Sequence, residues 1–421
     1  MLTSILIVFI IGYALIAFEQ YVKVNKAAIA LLTGVICWTL YVFHAQDLHL
    51  INEQLAEHIG EIAGILFFLM GAMTIVELID AHDGFDVITS AIKTTSNRKL
   101  LWIISLLAFF LSAVLDNLTT AIVMVTLLRK ITDNKNERLL FVGMIIIAAN
   151  AGGAWSPIGD VTTSMLWIGG QVTAMNLVWS LFLPSVVCLL VPLGIATFML
   201  KGDAVKPIAP LSELQSASRF DKHMILFSGL VILLLVPVFK MLTGLPPFMG
   251  MLLGLGLLWV VSEMLHKDKD EADKSNYSVL YALRRIDMPS VLFFLGILIS
   301  ISALQSTGQL TELAAWMDER IGNINIIVLT TGLLSAIVDN VPLVAAAIGM
   351  YDMQQFPADH YFWEFLAYCA GTGGSILIIG SAAGVAAMGM EKIDFLWYLK
   401  KISWLALAGY LAGAFLYMLL S

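Results

Sequence analysis

Long apolar runs separated by short polar segments make up most of the chain. A run of about 20 apolar residues is long enough to cross the roughly 30 Å hydrocarbon core of a membrane as a helix. We therefore predict an all-α, multi-pass membrane protein. Its ten predicted spans are Leu2–Phe18, Ala27–Phe43, Ile59–Ile79, Leu139–Trp167, Asn176–Leu200, His223–Leu242, Pro247–Leu265, Met288–Gln305, Tyr361–Met390 and Ile402–Leu420.

Two further apolar stretches are split near their middle by polar residues. Asp116-Asn117 divides Leu101–Lys130, and Asp339-Asn340 divides Ile324–Met350. Each half has about 14 residues, or roughly 21 Å of helix, which is too short to cross the hydrocarbon core. One long helix with a polar centre is the alternative. We predict instead that each stretch is a re-entrant hairpin, which enters and leaves on one side and carries the Asp-Asn pair at its tip.

The distribution of positive charge favours the hairpins. With the N-terminus outside and both stretches re-entrant, 21 of the 23 Lys and Arg residues fall on the inner side. Those inner segments are 19–26, 81–99, 129–138, 201–222, 266–288 and 391–401. Such an asymmetry is what the positive-inside rule requires, and a single crossing by either stretch would destroy it. We expect a protein of the bacterial inner membrane with both termini outside.

The two halves of the chain share an internal repeat. Ser112-Ala-Val-Leu-Asp-Asn117 matches Ser335-Ala-Ile-Val-Asp-Asn340 at an offset of 223 residues, and Asn150-Ala-Gly-Gly153 matches Gly371-Thr-Gly-Gly374 at an offset of 221. Each half has five spans and one hairpin, so the odd number of spans inverts the second half. Inverted repeats with discontinuous helices are typical of alternating-access transporters. The predicted units are 1–200 (hairpin 101–130, broken helix 139–167), a cytoplasmic linker 201–222, and 223–421 (hairpin 324–350, broken helix 361–390).

Composition excludes several classes of function. The chain is 59% hydrophobic and 13% charged, whereas soluble domains carry about 25% charged residues. Its net charge is −8, and its basic residues form no stripe outside the short loops, so nucleic-acid binding has no support. The sequence contains no Walker motif, which argues against an ATP-driven pump. We predict a protein that is not an enzyme and needs no cofactor.

Asp116 and Asp339 lie deep in apolar sequence. A carboxylate at that depth costs about 2.5–3.5 kcal/mol on insertion scales, so intramembrane acids are candidates for ion or proton binding. The alternative is that each aspartate only caps the helix that follows it. Neutral oxygens accompany both acids, on Asn117, Asn340, Ser112 and Ser335. These four could simply be packing residues.

Small hard cations such as Na⁺ and Li⁺ prefer oxygen ligands, as Mg²⁺ and Ca²⁺ do. We therefore predict a Na⁺ site at the two tips, formed by Asp116, Asn117, Asp339 and Asn340.

The fourth span contains the helix-breaking run from Asn150 to Asp160, with three glycines and Pro157. Interrupted helices expose backbone carbonyls to a cavity or a cation. Asp160, Thr162 and Thr163 follow at the start of the second half-helix. An acid there also complements the helix dipole, so capping is an alternative role for Asp160. Its counterpart in the ninth span is Ser381. We expect Asp160 to act less directly than the two tip aspartates.

The Ser-Ala-x-x-Asp-Asn pair and the stretch from Asn150 to Thr163 resemble the NhaD-type sodium/proton antiporters of the ion-transporter superfamily. The resemblance implies a homodimer, with a scaffold and a mobile transport domain in each protomer. It implies exchange of Na⁺, and also Li⁺, for H⁺ between the hairpin tips and the broken helices. The functional residues carried over by motif are Ser112, Asp116, Asn117, Asn150, Asp160, Thr162, Thr163, Ser335, Asp339, Asn340, Thr372 and Ser375.

Two other functions remain open at this point. The same superfamily contains arsenite and dicarboxylate carriers, although the dicarboxylate branch carries Ser-Asn-Thr at the tips where this chain has Asp-Asn. An intramembrane aspartyl protease also uses paired buried acids, and Gly159-Asp160 is similar to such a site. Inverted repeats and paired hairpins have no role in a protease. The sequence thus favours a transporter in which Na⁺ and H⁺ compete for the same buried carboxylates.

Overall fold

A computed structural model of the chain describes residues 2–17, 19–44, 48–89, 92, 94, 96–132, 135–200, 218–267 and 276–421. Every regular element in these ranges is a helix. The helices before residue 201 are α1 Leu2–Ala17, α2 Glu19–Val22, α3 Lys26–His44, α4 Leu48–Ala81, α5 Phe85–Thr89, α6 Asn97–Leu115, α7 Asn117–Ile131, α8 Lys135–Gly153, α9 Val161–Ile168 and α10 Ala174–Met199.

The helices after residue 217 form the second half of the molecule. They are α11 Arg219–Thr243, α12 Pro247–Leu265, α13 Val279–Arg285, α14 Met288–Ser306, α15 Gln309–Arg320, α16 Ile324–Leu334, α17 Asn340–Met350, α18 Tyr361–Gly373, α19 Ala382–Glu391, α20 Phe395–Lys401 and α21 Ser403–Leu420.

Eight described helices are long and apolar enough to cross a membrane, which confirms a multi-pass, all-helical membrane protein. They are α3, α4, α6, α10, α11, α12, α14 and α21. All except α6 coincide with a predicted span. At 16 residues, α1 is shorter than these, and the fourth and ninth predicted spans are each interrupted.

The predicted length of the first hairpin arm was wrong. Helix α6 has 19 residues, or roughly 28 Å, instead of about 14 residues. It starts among polar residues that a hydropathy pattern assigns to a loop. Asn97 is buried in the first turn of α6, and its amide donates to Glu137 at 3.0 Å. The other three arms are short, with 15 residues in α7 and 11 each in α16 and α17.

Two predicted boundaries also shift. Helix α4 begins at Leu48 and has 34 residues, roughly 51 Å, whereas the predicted third span began at Ile59. Buried Ile51 extends the apolar face of α4 toward its start. Most of the predicted linker 201–222 lies outside the described residues. Its last four residues belong to α11, which starts at Arg219 under a cap from Ser218.

The predicted interruptions are present in both halves. Helix α8 ends at Gly153 and α9 begins at Val161, while α18 ends at Gly373 and α19 begins at Ala382. Asp160 caps α9, and Ser381 caps α19 at the equivalent position. Each break therefore ends in a side-chain cap that satisfies free N–H groups of the next half-helix.

Glycine permits the same close helix contact twice. A Cβ on Gly152 would lie 2.1 Å from the carbonyl oxygen of Phe109, and one on Gly373 would lie 2.0 Å from that of Gly332. The backbones of α6 and α8, and of α16 and α18, therefore approach too closely for any larger residue. The halves also interlock, because α19 packs on α7 and α9 packs on α17.

Candidate functional site

Asp116 and Asp339 both cap the second arm of their Asp-Asn segment. The Asp116 carboxylate accepts hydrogen bonds from the backbone N–H of Thr119 at 2.8 Å and from its hydroxyl at 2.9 Å. Asp339 accepts from the backbone N–H of Val341 at 3.4 Å. Asp116 has a φ of 85°, a value that non-glycine residues seldom adopt. The capping contacts fix where each carboxylate lies at the break between two helices.

Asp160 lies at the centre of the predicted residues and is 2% exposed. Its Oδ1 accepts from the backbone N–H and from the hydroxyl of Thr162, both at 2.9 Å. Its Oδ2 accepts from the Asn117 amide at 2.6 Å. The Asn340 amide lies 3.4 Å from the same oxygen. The asparagines of both Asp-Asn segments therefore meet on one carboxylate.

Asn150 extends this network toward the second half of the chain. Its Oδ1 accepts from the Asn117 amide at 3.3 Å, and its own amide donates to the Ser381 hydroxyl at 3.1 Å. Both groups are buried. We call the resulting set the Asp160 cluster: Asn117, Asn150, Asp160, Thr162, Asn340 and Ser381.

The remaining predicted hydroxyls bind backbone carbonyls. Ser112 donates to Ala149 at 2.6 Å and Ser335 donates to Ala370 at 3.0 Å, which is the same contact in each half. Thr163, Thr372 and Ser375 likewise donate to backbone carbonyl oxygens, at 2.7, 2.6 and 2.7 Å. These five side chains surround the helix breaks. Thr163 also lies 2.9 Å from the backbone carbonyl oxygen of Asp160, but none of the five reaches the Asp160 carboxylate through a described hydrogen bond.

Electrostatics distinguish the three acids. The charges of Asp116 and Asp339 are close enough to Asp160 to act on it. Asp339 forms an ion pair with Lys26 at 3.1 Å. None of the ion pairs between described residues involves Asp116 or Asp160. Asp160 is thus a buried carboxylate held by neutral donors.

Sequence reasoning missed the part played by Lys26. A lysine at the end of an apolar run reads as an interfacial anchor, and we counted it only as an inner-side charge. Its partner Asp339 lies 313 residues away in the chain, so spacing offered no signal. Ser381 was noted only as the counterpart of Asp160.

Two cavities lie at different levels along α4. One, of about 320 Å³, is lined by Leu118 and Thr119 of α7 and by an acidic group at the end of α4. Glu77 and Asp80 in that group pair with Arg285, at 3.3 and 3.2 Å. The second cavity, of about 500 Å³, has a mostly apolar lining that also includes polar residues of several elements: His58, Glu61, Gln171, Ser302 and Gln305. The first cavity reaches Thr119, whose hydroxyl binds Asp116.

The Asp160 cluster has the chemistry of a hard-cation or proton site. It offers carboxylate, amide and hydroxyl oxygens, which hard cations prefer. In the described part of the chain, no group of three or more His, Cys, Asp or Glu side chains is placed to hold a metal ion. Buried charge without a counter-charge is costly, so a proton or a monovalent cation would stabilise Asp160.

Comparison with known proteins places the chain among membrane transporters. The model of the family described as "Citrate transporter" matches residues 13–371. "Sodium/proton antiporter 1" of Arabidopsis thaliana is 49% identical over 98% of this chain and 71% of its own length. "Na(+)/H(+) antiporter NhaD" of Vibrio cholerae is 31% identical over 99% of this chain and 91% of its own length.

A solved structure supports the fold alone. The Alcanivorax borkumensis YdaH transporter superposes with a TM-score of 0.58 at 11% identity, covering 93% of this chain and 96% of that one. At 11% identity, the superposition supports a shared helical architecture and nothing about function. Conclusions about function are drawn from the relatives with higher sequence identity.

Proposed function

The chain belongs to the NhaD-type sodium/proton antiporters of the ion-transporter superfamily, and we propose that it exchanges Na⁺ for H⁺ across a membrane. The family consists of transporters, so the chain is not an enzyme. One observation carries the proposal and gives Asp160 a more direct role than we expected from the sequence: it is a buried carboxylate that meets neutral donors from both Asp-Asn segments. Such a group accepts a proton or a small cation, and it binds one at the expense of the other.

Competition between Na⁺ and H⁺ is the proposed mechanism. A cation at Asp160 would take oxygens from Asn117, Asn340 and Thr162, once the two amides turn their oxygens toward it. When the carboxylate is protonated, its negative charge is lost and Na⁺ leaves. Asp116 and Asp339 flank the site and complete the predicted Na⁺ ligands. Li⁺ prefers the same oxygens, so we include it as a substrate.

Alternating access would move this site between the two sides of the membrane. We infer inverted repeats over 1–200 and 223–421, each with a re-entrant hairpin, from paired contacts at a constant offset. Gly152 and Gly373 make the same close approach, and Asp160 and Ser381 the same cap. Shared contacts of this kind support a common ancestry for the halves. The two residues of each pair are separated by 221 residues, the same offset as between Asn150-Ala-Gly-Gly153 and Gly371-Thr-Gly-Gly374.

The cavity beside α7 supports access from one side. It runs from the acidic residues at the end of α4 to Thr119, next to Asp116. The second cavity is lined by none of the predicted site residues. On the threading that satisfies the positive-inside rule, the first cavity opens to the cytoplasm. We also propose a bacterial inner membrane and outward termini, from the distribution of positive charge, and a homodimer, from the resemblance to the family. The relatives named above come from both plants and bacteria.

Citrate is the second candidate, because the matching family model is described as a citrate transporter. A tricarboxylate needs cationic or donor groups around it. Three aspartates lie at the two Asp-Asn tips and at the break before α9. Among the described ion pairs, Lys26 is the basic residue that neutralises one of them, Asp339. Bringing citrate to this site would add like charges in a low-dielectric region. The local charge therefore favours a cation.

Reconstituted protein tests the proposal directly. Proteoliposomes containing a pH-sensitive dye should report proton movement when NaCl or LiCl is added, and none when choline chloride or sodium-free citrate is added. Asp160→Asn should reduce the sodium-driven signal at least about 100-fold, because Asn carries no charge and accepts no proton near neutral pH.

Asp394→Asn is the matched control. Asp394 caps α20 by accepting from the Trp397 N–H at 2.9 Å, and it lies outside the Asp160 cluster. If capping were the only role of Asp160, both variants would retain exchange. Normal exchange by Asp160→Asn would overturn the role assigned to Asp160, whereas proton movement driven by citrate in place of sodium would rule out the proposed function.

A further inference from the structure

Lys26 brings a positive charge to one of the acids at the proposed transport site. Its Nζ lies 3.1 Å from Oδ2 of Asp339, and the two side chains are 24% and 16% exposed. Among the ion pairs of the described residues, this one alone joins a Lys or Arg side chain to one of the three site aspartates, Asp116, Asp160 and Asp339. The pair therefore needs an explanation that the exchange mechanism alone does not give.

The lysine comes from a different part of the molecule than its partner. Lys26 is the first residue of α3, and its ammonium lies over the ring of Phe293 on α14, 4.2 Å from the centroid. Helices α3 and α14 pack tightly, since a Cβ on Gly296 would lie 2.4 Å from the backbone N of Leu31. Lys26 is thus anchored to a rigid helix pair, whereas Asp339 lies at the break between α16 and α17.

The ammonium occupies the position that a cation at Asp339 would need. Oδ1 of Asp339 faces the Val341 N–H, and Oδ2 faces Lys26. A sodium ion bound to this carboxylate would lie within a few ångströms of the ammonium, and like charges at that distance repel strongly in a low-dielectric region. Sodium and Lys26 therefore exclude one another at Asp339.

We propose that Lys26 is a tethered competitor for the transported cation: it neutralises Asp339 when sodium is absent, and sodium must displace it to bind. This inference rests on the proposed function. Lys26 would then lower the affinity for sodium, because sodium has to displace the ammonium from Asp339. Displacement would also release the tip from the α3–α14 pair, so the same event would free the tip to move.

Steady-state kinetics in proteoliposomes at one alkaline pH test the competition. Lys26→Met keeps the apolar stem over Phe293 but removes the charge, so the KM for Na⁺ should fall about fivefold, the factor equivalent to a partly exposed ion pair of about 1 kcal/mol. Lys26→Arg keeps the charge and should keep a KM near that of the parent. Lys23→Met, at an exposed lysine three residues earlier, is the matched control and should change nothing.

A purely structural role predicts a different pattern. Lys26→Met would then lower kcat or the melting temperature while the KM stays constant or rises, and that result would overturn the proposal. Failure of the parent protein to exchange sodium at all would instead reject the proposed function.

A second measurement needs no variant. In purified parent protein, modification of the Lys26 amine by an acylating reagent, followed by peptide mass spectrometry, should accelerate when NaCl replaces choline chloride. Lys23 in the same digest provides the internal reference. A Lys26 reactivity that sodium leaves unchanged relative to Lys23 would show that sodium does not displace the ammonium, and would overturn the inference even if Lys26→Met fails to fold.

Discussion

Asp160 combines a local and a long-range role in one carboxylate. One oxygen caps α9 through Thr162, and the other receives the Asn117 amide. The sequence alone indicated the first role, because an acid at the start of a half-helix is a common cap. The second role depends on how α7 and α17 approach α9, and no spacing along the chain encodes that approach.

Replacing the tip aspartates separates capping from ion binding. Asp116→Asn and Asp339→Asn should each abolish sodium-driven proton movement, because Asn can still cap a helix but provides no charge for Na⁺ and no site for H⁺. The expected loss is at least about 100-fold in initial rate, with the protein still inserted and folded. Flux in proteoliposomes, with melting curves of the same preparations, measures both properties. Exchange that survives in both variants would assign the tip aspartates to capping alone.

At the residue scale, repetition was the most informative signal. The Asp-Asn pairs stood out because they recur 223 residues apart in apolar sequence, and both asparagines lie in the Asp160 cluster. The hydroxyl groups were harder to assign. Ser112 and Ser335 were predicted as ion ligands, yet each donates to a backbone carbonyl. Whether they also bind the ion stays a prediction, because a hydroxyl that donates one hydrogen bond keeps free lone pairs.

At the element scale, the apolar runs predicted the existence of most helices correctly, but they predicted the ends of those helices less well. Most predicted spans match a described helix, since about 20 apolar residues leave the chain few alternatives. Helix ends depend on polar residues instead. Asn97 extends α6 by bonding to Glu137, and Ser218 starts α11 inside the predicted linker. Such contacts carry no hydropathy signal.

Close helix packing at the breaks gives an element-scale prediction. Gly152→Ala and Gly373→Ala each place a methyl group against a backbone carbonyl, at 2.1 and 2.0 Å, so each should lower stability by about 1–3 kcal/mol. Gly256→Ala is the control, because a Cβ there has no neighbour within 4 Å and alanine favours helix. Thermal unfolding in detergent measures the three. Equal melting temperatures for Gly152→Ala and Gly256→Ala would contradict the packing.

Glu391 links three helices just beyond the ninth predicted span. Its carboxylate, 1% exposed, accepts from Arg129 of α7 and Arg138 of α8, at 2.5 and 2.8 Å. Burial alone would raise the pKa of Glu391, but the two arginine hydrogen bonds outweigh it and lower that pKa below its ordinary value of 4.5. The ionised form is therefore favoured in the folded protein, and its stabilisation is lost as the pH falls through the lowered pKa.

Glu391→Gln should accordingly destabilise the protein by about 1.5–3 kcal/mol at neutral pH, the range for hydrogen bonds to charged groups. The deficit should stay constant from about pH 8 to 5 and shrink below about pH 4, where Glu391 itself becomes protonated. Melting temperatures across this range test it, with Glu319→Gln on the exposed face of α15 as the control. A deficit that grows as the pH falls would have the wrong sign.

At the scale of the whole molecule, the two cavities indicate how water reaches the site. The cavity along α7 approaches Asp116 through Thr119, while the other ends against α9 and α17 without touching a predicted site residue. The sequence predicts the direction in which each helix crosses the membrane, but it does not predict the cavities between helices. The cavities could therefore not be predicted from the sequence.

Single cysteines can map these cavities and the orientation together. In a chain whose three buried cysteines are replaced, Thr126→Cys in the first cavity should react with an impermeant thiol reagent from the cytoplasmic side. Ile65→Cys in the second cavity should react from the outside. Leu253→Cys, on an exposed apolar face of α12, should react slowly from either side, because lipid surrounds it. Reaction of Thr126→Cys from the outside would reverse the proposed orientation.

On the proposed inverted repeat, the two halves differ in charge at equivalent positions of the site. Asp160 and Ser381 cap equivalent half-helices, but only the first carries a charge. Two identical inverted halves would give inward-open and outward-open states of equal free energy, because exchanging the halves converts one state into the other. In the proposed alternating-access cycle, a single acid would remove that degeneracy, so that one state is preferred at rest and sodium and protons shift the balance between them. In that proposed cycle, moving the acid, by Asp160→Ser together with Ser381→Asp, should shift the resting preference toward the opposite side of the membrane.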